Sequence, residues 1–280
     1  MNYQSTANPL LISNFEEAVF KGLPDSSGLY MPMQIPQLPS SFFSQLHELS
    51  LSEIGFQVLR PFVGSEINET TFRNIVDETL SFPIPLRQIH DQVYSLELFH
   101  GPTLAFKDVG ARFLARILGH FATLSNRSIT VLVATSGDTG SAVAHGFYGV
   151  QNVDVVVLYP KGKVSDFQRR QMTTLGENIQ AIEIDGTFDD CQDLVKQAFL
   201  DRNLQDKYNL TSANSINVAR FLPQMVYYFW AVAQLKSTYS PSPETPVNVS
   251  VPSGNYGNLT AGLLAKRMGL GIDHFIAAAN

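Results

Sequence analysis

The sequence predicts an α/β protein with mostly parallel sheets, and three observations carry that prediction. Runs of Val, Ile and Ala without polar alternation, such as SITVLVA at 128–134 and VDVVVLYP at 153–160, read as strands buried on both faces. Helix patterns alternate with such strands from residue 108 onward, as βαβ units require. Two of the strand-to-helix joints are glycine-bearing loops, TSGDTG at 135–140 and SGNYGN at 253–258.

Taken in order, NFEEAVFKG at 14–22 reads as a short helix closed by Gly22, and the prolines of the following LPDSSGLYMPMQIPQLP deny that stretch a long helix. From 41 to 88, FFSQLHEL, LSEIGFQVLRPFVG and NETTFRNIVDETLSF repeat apolar residues at helical spacing, with breaks expected at Pro61 and Pro83. DVGARFLARILGHFATL places Phe113, Leu114, Ile117, Leu118 and Phe121 on one helical stripe. After the strand at 128–134 come helix SAVAHGF, strand VDVVVLYP, helix VSDFQRRQMTTLG, strand NIQAIEID and helix FDDCQDLVKQAFLD. One long helix is expected at NVARFLPQMVYYFWAVAQL, then strand VNVSVP, helix LTAGLLAKRMG and strand HFIAAA. The final DHFIAAAN stops at the C-terminal end of a strand, so the chain reads as cut short.

Composition narrows the function. The 280 residues are 44% hydrophobic and 16% charged, which suits a folded protein able to bury a sizeable core. A net charge of −6 argues against a nucleic-acid footprint, which needs a basic face, and points to small-molecule chemistry. The single cysteine, Cys191, allows no intrachain disulfide and no cysteine-built metal site, as in a reducing compartment. No targeting segment and no run of about 18 apolar residues is present, so a cytoplasmic protein without membrane contact is expected.

In open parallel sheets ligands sit beyond the carboxyl ends of the strands, where both glycine loops lie. In SGNYGN, Gly254 and Gly257 free the backbone to turn N–H groups toward one point at a helix N-terminus, which is either a phosphate cradle or a plain strand-to-helix turn. It lacks the Lys-Ser/Thr of a nucleotide P-loop and the third glycine of a dinucleotide fingerprint. TSGDTG offers three hydroxyls at another helix N-terminus, suited to a small carboxylate or simply to capping. Lys107, within HGPTLAFKDVGARF, is either an exposed lysine at a helix start or an amine whose apolar neighbour Phe106 lowers its pKa for Schiff-base chemistry. Together the three features suggest pyridoxal phosphate and an amino acid.

The segment SLELFHGPTLAFKDVGARFLA resembles the cofactor-lysine segment of the threonine synthase family, fold-type II pyridoxal-phosphate lyases. FEEAVFKGLPDSSGLYMP, VATSGDTGSAVAHGF, YPKGKVSDFQRRQMTTLGENI, TSANSINVARFLPQ and VPSGNYGNLTAGLLAKRMGL resemble the same family in the same order, across essentially the whole chain. The resemblance implies two intertwined α/β domains. Residues 1–95 would form a helical N-terminal region and 96–280 the cofactor-binding region, with a smaller nested domain at about 110–210. The larger domain would come from the flanking segments and be incomplete at its C-terminus.

The resemblance also implies roles. Lys107 bonds to the pyridoxal 5'-phosphate aldehyde and later shuttles protons, and Gly254, Asn255, Tyr256, Gly257 and Asn258 hold the cofactor phosphate. Asp138 lies near the phenolic oxygen, where it and a phenolate repel unless one keeps a proton. Thr135, Ser136 and Thr139 receive the substrate carboxylate. Asn214, Ser215 and Arg220 form the substrate-phosphate clamp, with Lys163 a weaker member. By position alone rather than by resemblance, His100, Phe106 and Asp108 flank the lysine and are expected to shape and pack the pocket, and the cluster from Tyr227 to Trp230 on an apolar helix reads as core.

The activity so implied is conversion of O-phospho-L-homoserine and water to L-threonine and phosphate, a step of threonine biosynthesis, in a monomer or homodimer without a metal. Two other readings stay open: a serine or threonine dehydratase of the same fold type, and a catalytically inactive binding module.

Overall fold

The computed structural model describes residues 1–24, 28–239 and 245–279. Three short strands, β1 (Tyr3–Ser5), β2 (Ile12–Ser13) and β3 (Tyr30–Pro32), pair antiparallel in the order β2-β1-β3. Two or three residues carry no readable periodicity, so the sequence pattern did not announce them. Between β2 and β3 lies α1 (Phe15–Lys21), where Asn14 accepts from the Glu17 N–H at 2.8 Å, Glu16 and Glu17 sit in the first turn, and Gly22 closes the helix at φ 65°.

Helices α2 (Ser40–Gln45), α3 (Leu51–Val63) and α4 (Glu69–Thr79) follow, then the hairpin β4 (Leu86–His90) and β5 (Val93–Leu96). The break expected at Pro61 is absent: α3 continues through it to Val63 and ends at Gly64, φ 65°. Pro61 sits in the last turn, where the missing N–H removes a single rung, and the fully buried Phe62 and Val63 hold that turn against the core. The N-terminal region is therefore helical at 40–79 but framed by five strands. Phe72 bridges it to the rest, 5.7 Å from the Phe56 ring and 6.2 Å from Phe113 on α5 (Lys107–Ser125).

Beyond α5 the chain alternates as expected: β6 (Ile129–Ala134), α6 (Asp138–Phe147), β7 (Val153–Pro160), α7 (Asp166–Thr173), β8 (Ile179–Ile184), α8 (Phe188–Leu200). Two elements the sequence pattern did not announce, α9 (Arg202–Tyr208) and β9 (Leu210–Ser212), bring the chain back to the sheet. All four strands are parallel, in the order β8-β7-β6-β9, with Val131 opposite both Val155 and Thr211. The chain runs outward from β6 to β7 to β8 and then returns to the other side of β6. The reversal leaves a crevice between the carboxyl ends of β6 and β9, where ligands of open α/β sheets bind.

The expectation of strands buried on both faces holds best for the central pair β6 and β7. Strand β8 lies at the sheet edge and is buried only at Ile179. The single helix expected at 217–235 is three pieces, α10 (Val218–Phe221), a 3₁₀ turn (Leu222–Gln224) and α11 (Met225–Gln234), because Pro223 supplies no N–H to a continuous ladder. A π-turn (Leu235–Tyr239) extends α11. Strand β10 (Asn248–Pro252), α12 (Gly257–Arg267) and β11 (His274–Ala278) complete the chain, and β10 pairs parallel with β11 in a separate two-stranded sheet whose residues are largely exposed. Among the described residues no helix is long and apolar enough to cross a membrane, and no group of His, Cys, Asp and Glu is placed to hold a metal.

Helix α5 meets α10 without room for a side chain: a Cβ at Gly110 would lie 2.6 Å from the Arg220 carbonyl oxygen. Gly110→Ala is expected to cost about 1–3 kcal/mol through overpacking, read as a lower urea midpoint at unchanged m-value.

Candidate functional site

Lys107 is the first residue of α5, and the turn before it is held from two directions. Asp108, 2% exposed, accepts from the Thr103 N–H at 2.9 Å and from the Thr103 hydroxyl at 2.5 Å, and Leu104 in that turn takes φ 60°. From the other side Tyr227 on α11 donates its hydroxyl to the Phe106 carbonyl at 2.5 Å. Gly101 packs against the Asp108 carboxylate so closely that a Cβ would overlap it. The Lys107 amine is left half-buried, 5.5 Å from the Phe106 ring centre. Burial pushes Lys107 below the usual lysine range; the charge of Asp138 opposes that shift and the charge of Arg220 adds to it.

Both loops at the crevice lie within this electrostatic neighbourhood. In the loop after β6, the buried Thr135 hydroxyl donates to the Gly137 carbonyl and accepts from the N–H groups of Gly137 (3.0 Å) and Gly140 (2.8 Å). It therefore staples the loop. Ser136 is exposed and Thr139 half-buried. Helix α6 begins at Asp138, whose Oδ1 accepts from the Gln168 side-chain amide.

The loop after β9 begins at Ala213 and leads into α10. Asn217, fully buried, caps α10 through the Ala219 N–H (3.0 Å) and ties it to α1 through the Val19 carbonyl (2.8 Å), while Thr211 reaches the Phe20 carbonyl at 2.6 Å. The N-terminal helix thereby braces this side of the crevice. Asn214 and Ser215 are half-buried at its rim. Arg220, expected as an open fork, is instead 2% exposed: one amino group donates to the Ala213 carbonyl, and Nε has no hydrogen-bond partner. Burial lowers its pKa to about 10, against the opposing pull of Tyr227 and Asp108. It supplies buried positive charge behind Asn214 and Ser215 while pinning their loop.

The third loop, 253–258, precedes α12, with Tyr256 at φ 57° and nearly half exposed. Nothing lies within 4 Å of a Cβ built at Gly254 or Gly257, so the loop face is clear of protein. The first rung of the α12 ladder is the Thr260 N–H to Tyr256 carbonyl bond at 2.8 Å, leaving the N–H groups ahead of it as the helix's unpaired donors. Tyr228 anchors the loop, its hydroxyl 2.8 Å from the Asn258 carbonyl and 2.7 Å from the Asn258 side-chain oxygen. Consecutive residues of α11 thus fasten two loops, Tyr227 the lysine segment and Tyr228 the glycine loop. Burial raises the pKa of both tyrosines, which keeps both hydroxyls protonated as donors.

The donor set suits a phosphate-bearing aldehyde: an amine at Lys107 for the carbonyl carbon and a clear cradle of N–H groups at 254–258 for the phosphate. Asp138 and Arg220 both act on the charge of Lys107, and the glycine loop and the lysine segment are both tethered to α11. Lys163 stands apart, exposed in the turn after β7, its backbone N–H on the Pro160 carbonyl at 3.2 Å. His100 pairs with Glu97 at 2.7 Å and stacks beside Phe99. The cluster read as core is core, with Tyr227, Tyr228 and Phe229 buried and Trp230 packed against them, and Tyr227, Tyr228 and Trp230 each also spend a donor on a backbone carbonyl or side chain. Two adjacent tyrosines on an apolar helix were the signal, since a buried tyrosine hydroxyl needs a partner. Gln168, on α7, carried no such signal.

Residues 2–80 match the family model described as threonine synthase N terminus, and residues 82–278 the model described as pyridoxal-phosphate dependent enzyme. The chain is 48% identical to the threonine synthase of Serratia marcescens over 95% of its own length and 61% of the relative's, and 48% identical to that of Haemophilus influenzae over 100% and 64%. The crystal structure of threonine synthase from Escherichia coli superposes with a TM-score of 0.90 at 46% identity, covering 100% of this chain and 64% of that one. The pyridoxal-phosphate-bound threonine synthase from Brucella melitensis gives 0.93 at 42% identity, covering 99% and 60%. The chain thus spans about three fifths of the length of the relatives it matches. Lys107 and all three loops of the crevice fall inside the longer family match, and the chain belongs to the pyridoxal-phosphate dependent enzyme family.

Proposed function

We propose that this chain serves the threonine synthase reaction, in which O-phospho-L-homoserine and water become L-threonine and phosphate with pyridoxal 5'-phosphate as cofactor. The observation that carries the reading is 48% identity to threonine synthases along the whole chain, loops of the crevice included. The cofactor, when bound, supplies an electron sink for the charge left on the substrate when its α-proton departs.

The chain's own residues supply the rest. The Lys107 amine holds the cofactor aldehyde and, once the substrate amine takes its place, accepts the α-proton; its lowered pKa favours the neutral form that this step needs. Asn255, Tyr256, Asn258 and the two glycines cradle the cofactor phosphate. Ser136 and Thr139 would meet the substrate carboxylate on a loop whose shape Thr135 fixes, and Asp138 would stand near the cofactor's phenolic oxygen. Asn214 and Ser215 hold the substrate phosphate with the buried charge of Arg220 behind them, and Lys163 is at most an outer contributor. The same reading carries a nested domain at about 110–210, a cytoplasmic setting, and a monomer or homodimer.

Incubation of the chain with pyridoxal phosphate is expected to give a yellow absorbance that borohydride traps on Lys107, and O-phosphohomoserine is expected to release phosphate. Release of ammonia from serine with no phosphate from O-phosphohomoserine would assign the chain to the dehydratases instead. Absorbance without either turnover would make it a binding module.

A further inference from the structure

Gln168 lies on α7 and carries none of the roles given above, yet both ends of its side-chain amide are committed. Ser165 donates its hydroxyl to Gln168 Oε1 at 2.9 Å and accepts from the Gln168 N–H at 3.3 Å. With its oxygen engaged by Ser165, the amide has only one orientation available, and Nε2 donates to Asp138 Oδ1. The amide also lies flush on Gly137, where a Cβ would come within 2.7 Å of Nε2, and Gly137 takes φ 153° to make that room. The Gln168 carbonyl in turn receives the Ser141 hydroxyl of α6 at 3.4 Å. Three separate features of the crevice loop, a glycine, an acid and a serine, are thus arranged around one glutamine.

We propose that Gln168 is a positioning residue, which fixes the otherwise exposed Asp138 carboxylate at the start of α6 through the hydrogen-bonded chain Ser165 to Gln168 to Asp138, and so sets the field that this carboxylate exerts on Lys107. An exposed aspartate at a helix start samples several rotamers, and a hydrogen bond from a fixed amide selects one. The groups that set the charge of Lys107 are Asp138 from α6, which favours the ammonium, and Arg220 from α10, which disfavours it. Asp108 on its own helix is spent on Thr103, and Tyr227 from α11 is spent on the Phe106 carbonyl. Asp138 is therefore the counter-charge to Lys107, and Gln168 decides where it stands. The role in the reaction rests on the function proposed above; the arrangement itself does not.

The test is pH-dependent competitive acetylation of Lys107 by acetic anhydride, followed by peptide mass spectrometry on the whole folded chain without cofactor. Gln168→Met removes the donor at similar volume, and Gln168→Asn keeps an amide too short to reach, so that one serves if the other fails to fold. In each, Lys107 is expected to label about threefold faster at pH 7, as a fall of about half a unit in its titration midpoint gives. Asp138→Asn is expected to do the same, and the Gln168→Met/Asp138→Asn pair to equal Asp138→Asn alone, because Gln168 acts through Asp138. An unchanged midpoint in both Gln168 variants, or additive effects in the double variant, overturns the proposal. Failure of the proposed function is read separately, as an unmodified chain that takes up no pyridoxal phosphate.

Discussion

Replacement of Lys107 by alanine is expected to abolish the borohydride-trappable absorbance and to lower phosphate release from O-phosphohomoserine by about 10³-fold or more, the scale of losing a positioned acid–base group. The cause is specific to the amine. Lys107→Arg keeps charge and length, but its guanidinium stays protonated and forms no Schiff base, so it is expected to fail equally. Retention of more than a tenth of the activity in either variant would show that the reacting amine lies elsewhere.

Stability moves the other way. Burial disfavours the charged form of Lys107 in the folded chain, whereas the unfolded chain keeps that proton up to the ordinary lysine range. Between the lowered folded value and the ordinary one the unfolded state binds more protons, so this residue makes stability rise with pH across that window. Lys107→Met is expected to remove the rise and to raise the unfolding midpoint at neutral pH, which denaturation at several pH values between 7 and 10 measures.

Asp108→Ala is expected to cost about 2–4 kcal/mol, the scale of leaving two buried donors without their acceptor. The Thr103 N–H and hydroxyl lose their acceptor, and the fully buried Arg220 loses a nearby opposing charge. Because Asp108 holds the turn that sets the helix start at Lys107, cofactor uptake should fall along with stability. Asp108→Asn retains one acceptor oxygen and is expected to recover part of both. A urea midpoint for Asp108→Ala that places it within 0.5 kcal/mol of the parent would show that the turn is held by Tyr227 and packing alone.

Elements with strong periodicity were legible from the sequence. Val153–Pro160 is a strand over the residues its pattern marked, and Gly22 closes α1 as read. Short elements were not. Strands β1 and β2 are too short to show a period and exist because β1 pairs with β2 on one side and with β3 on the other, and β9 exists because Thr130, Val131 and Leu132 of β6 align it. The Pro61 rule failed near a helix end, where burial of Phe62 and Val63 outweighed one missing rung.

Residue identity by itself determined the chemistry on offer: an amine beside an aromatic ring, two loops of small residues at helix starts, one lone cysteine and an acidic balance. These follow from side-chain type and local backbone freedom, which need no long-range contact. Only the tertiary structure decided how the groups are used. It spent the Thr135 hydroxyl inside its own loop, buried Arg220 behind Asn214 and Ser215, set Gln168 against Asp138, and made two neighbouring tyrosines fasten two distant loops. Each of those outcomes depends on which donor meets which acceptor across separations of up to 121 residues, and a hydrogen bond between residues that far apart leaves no period in the sequence for a reader to find.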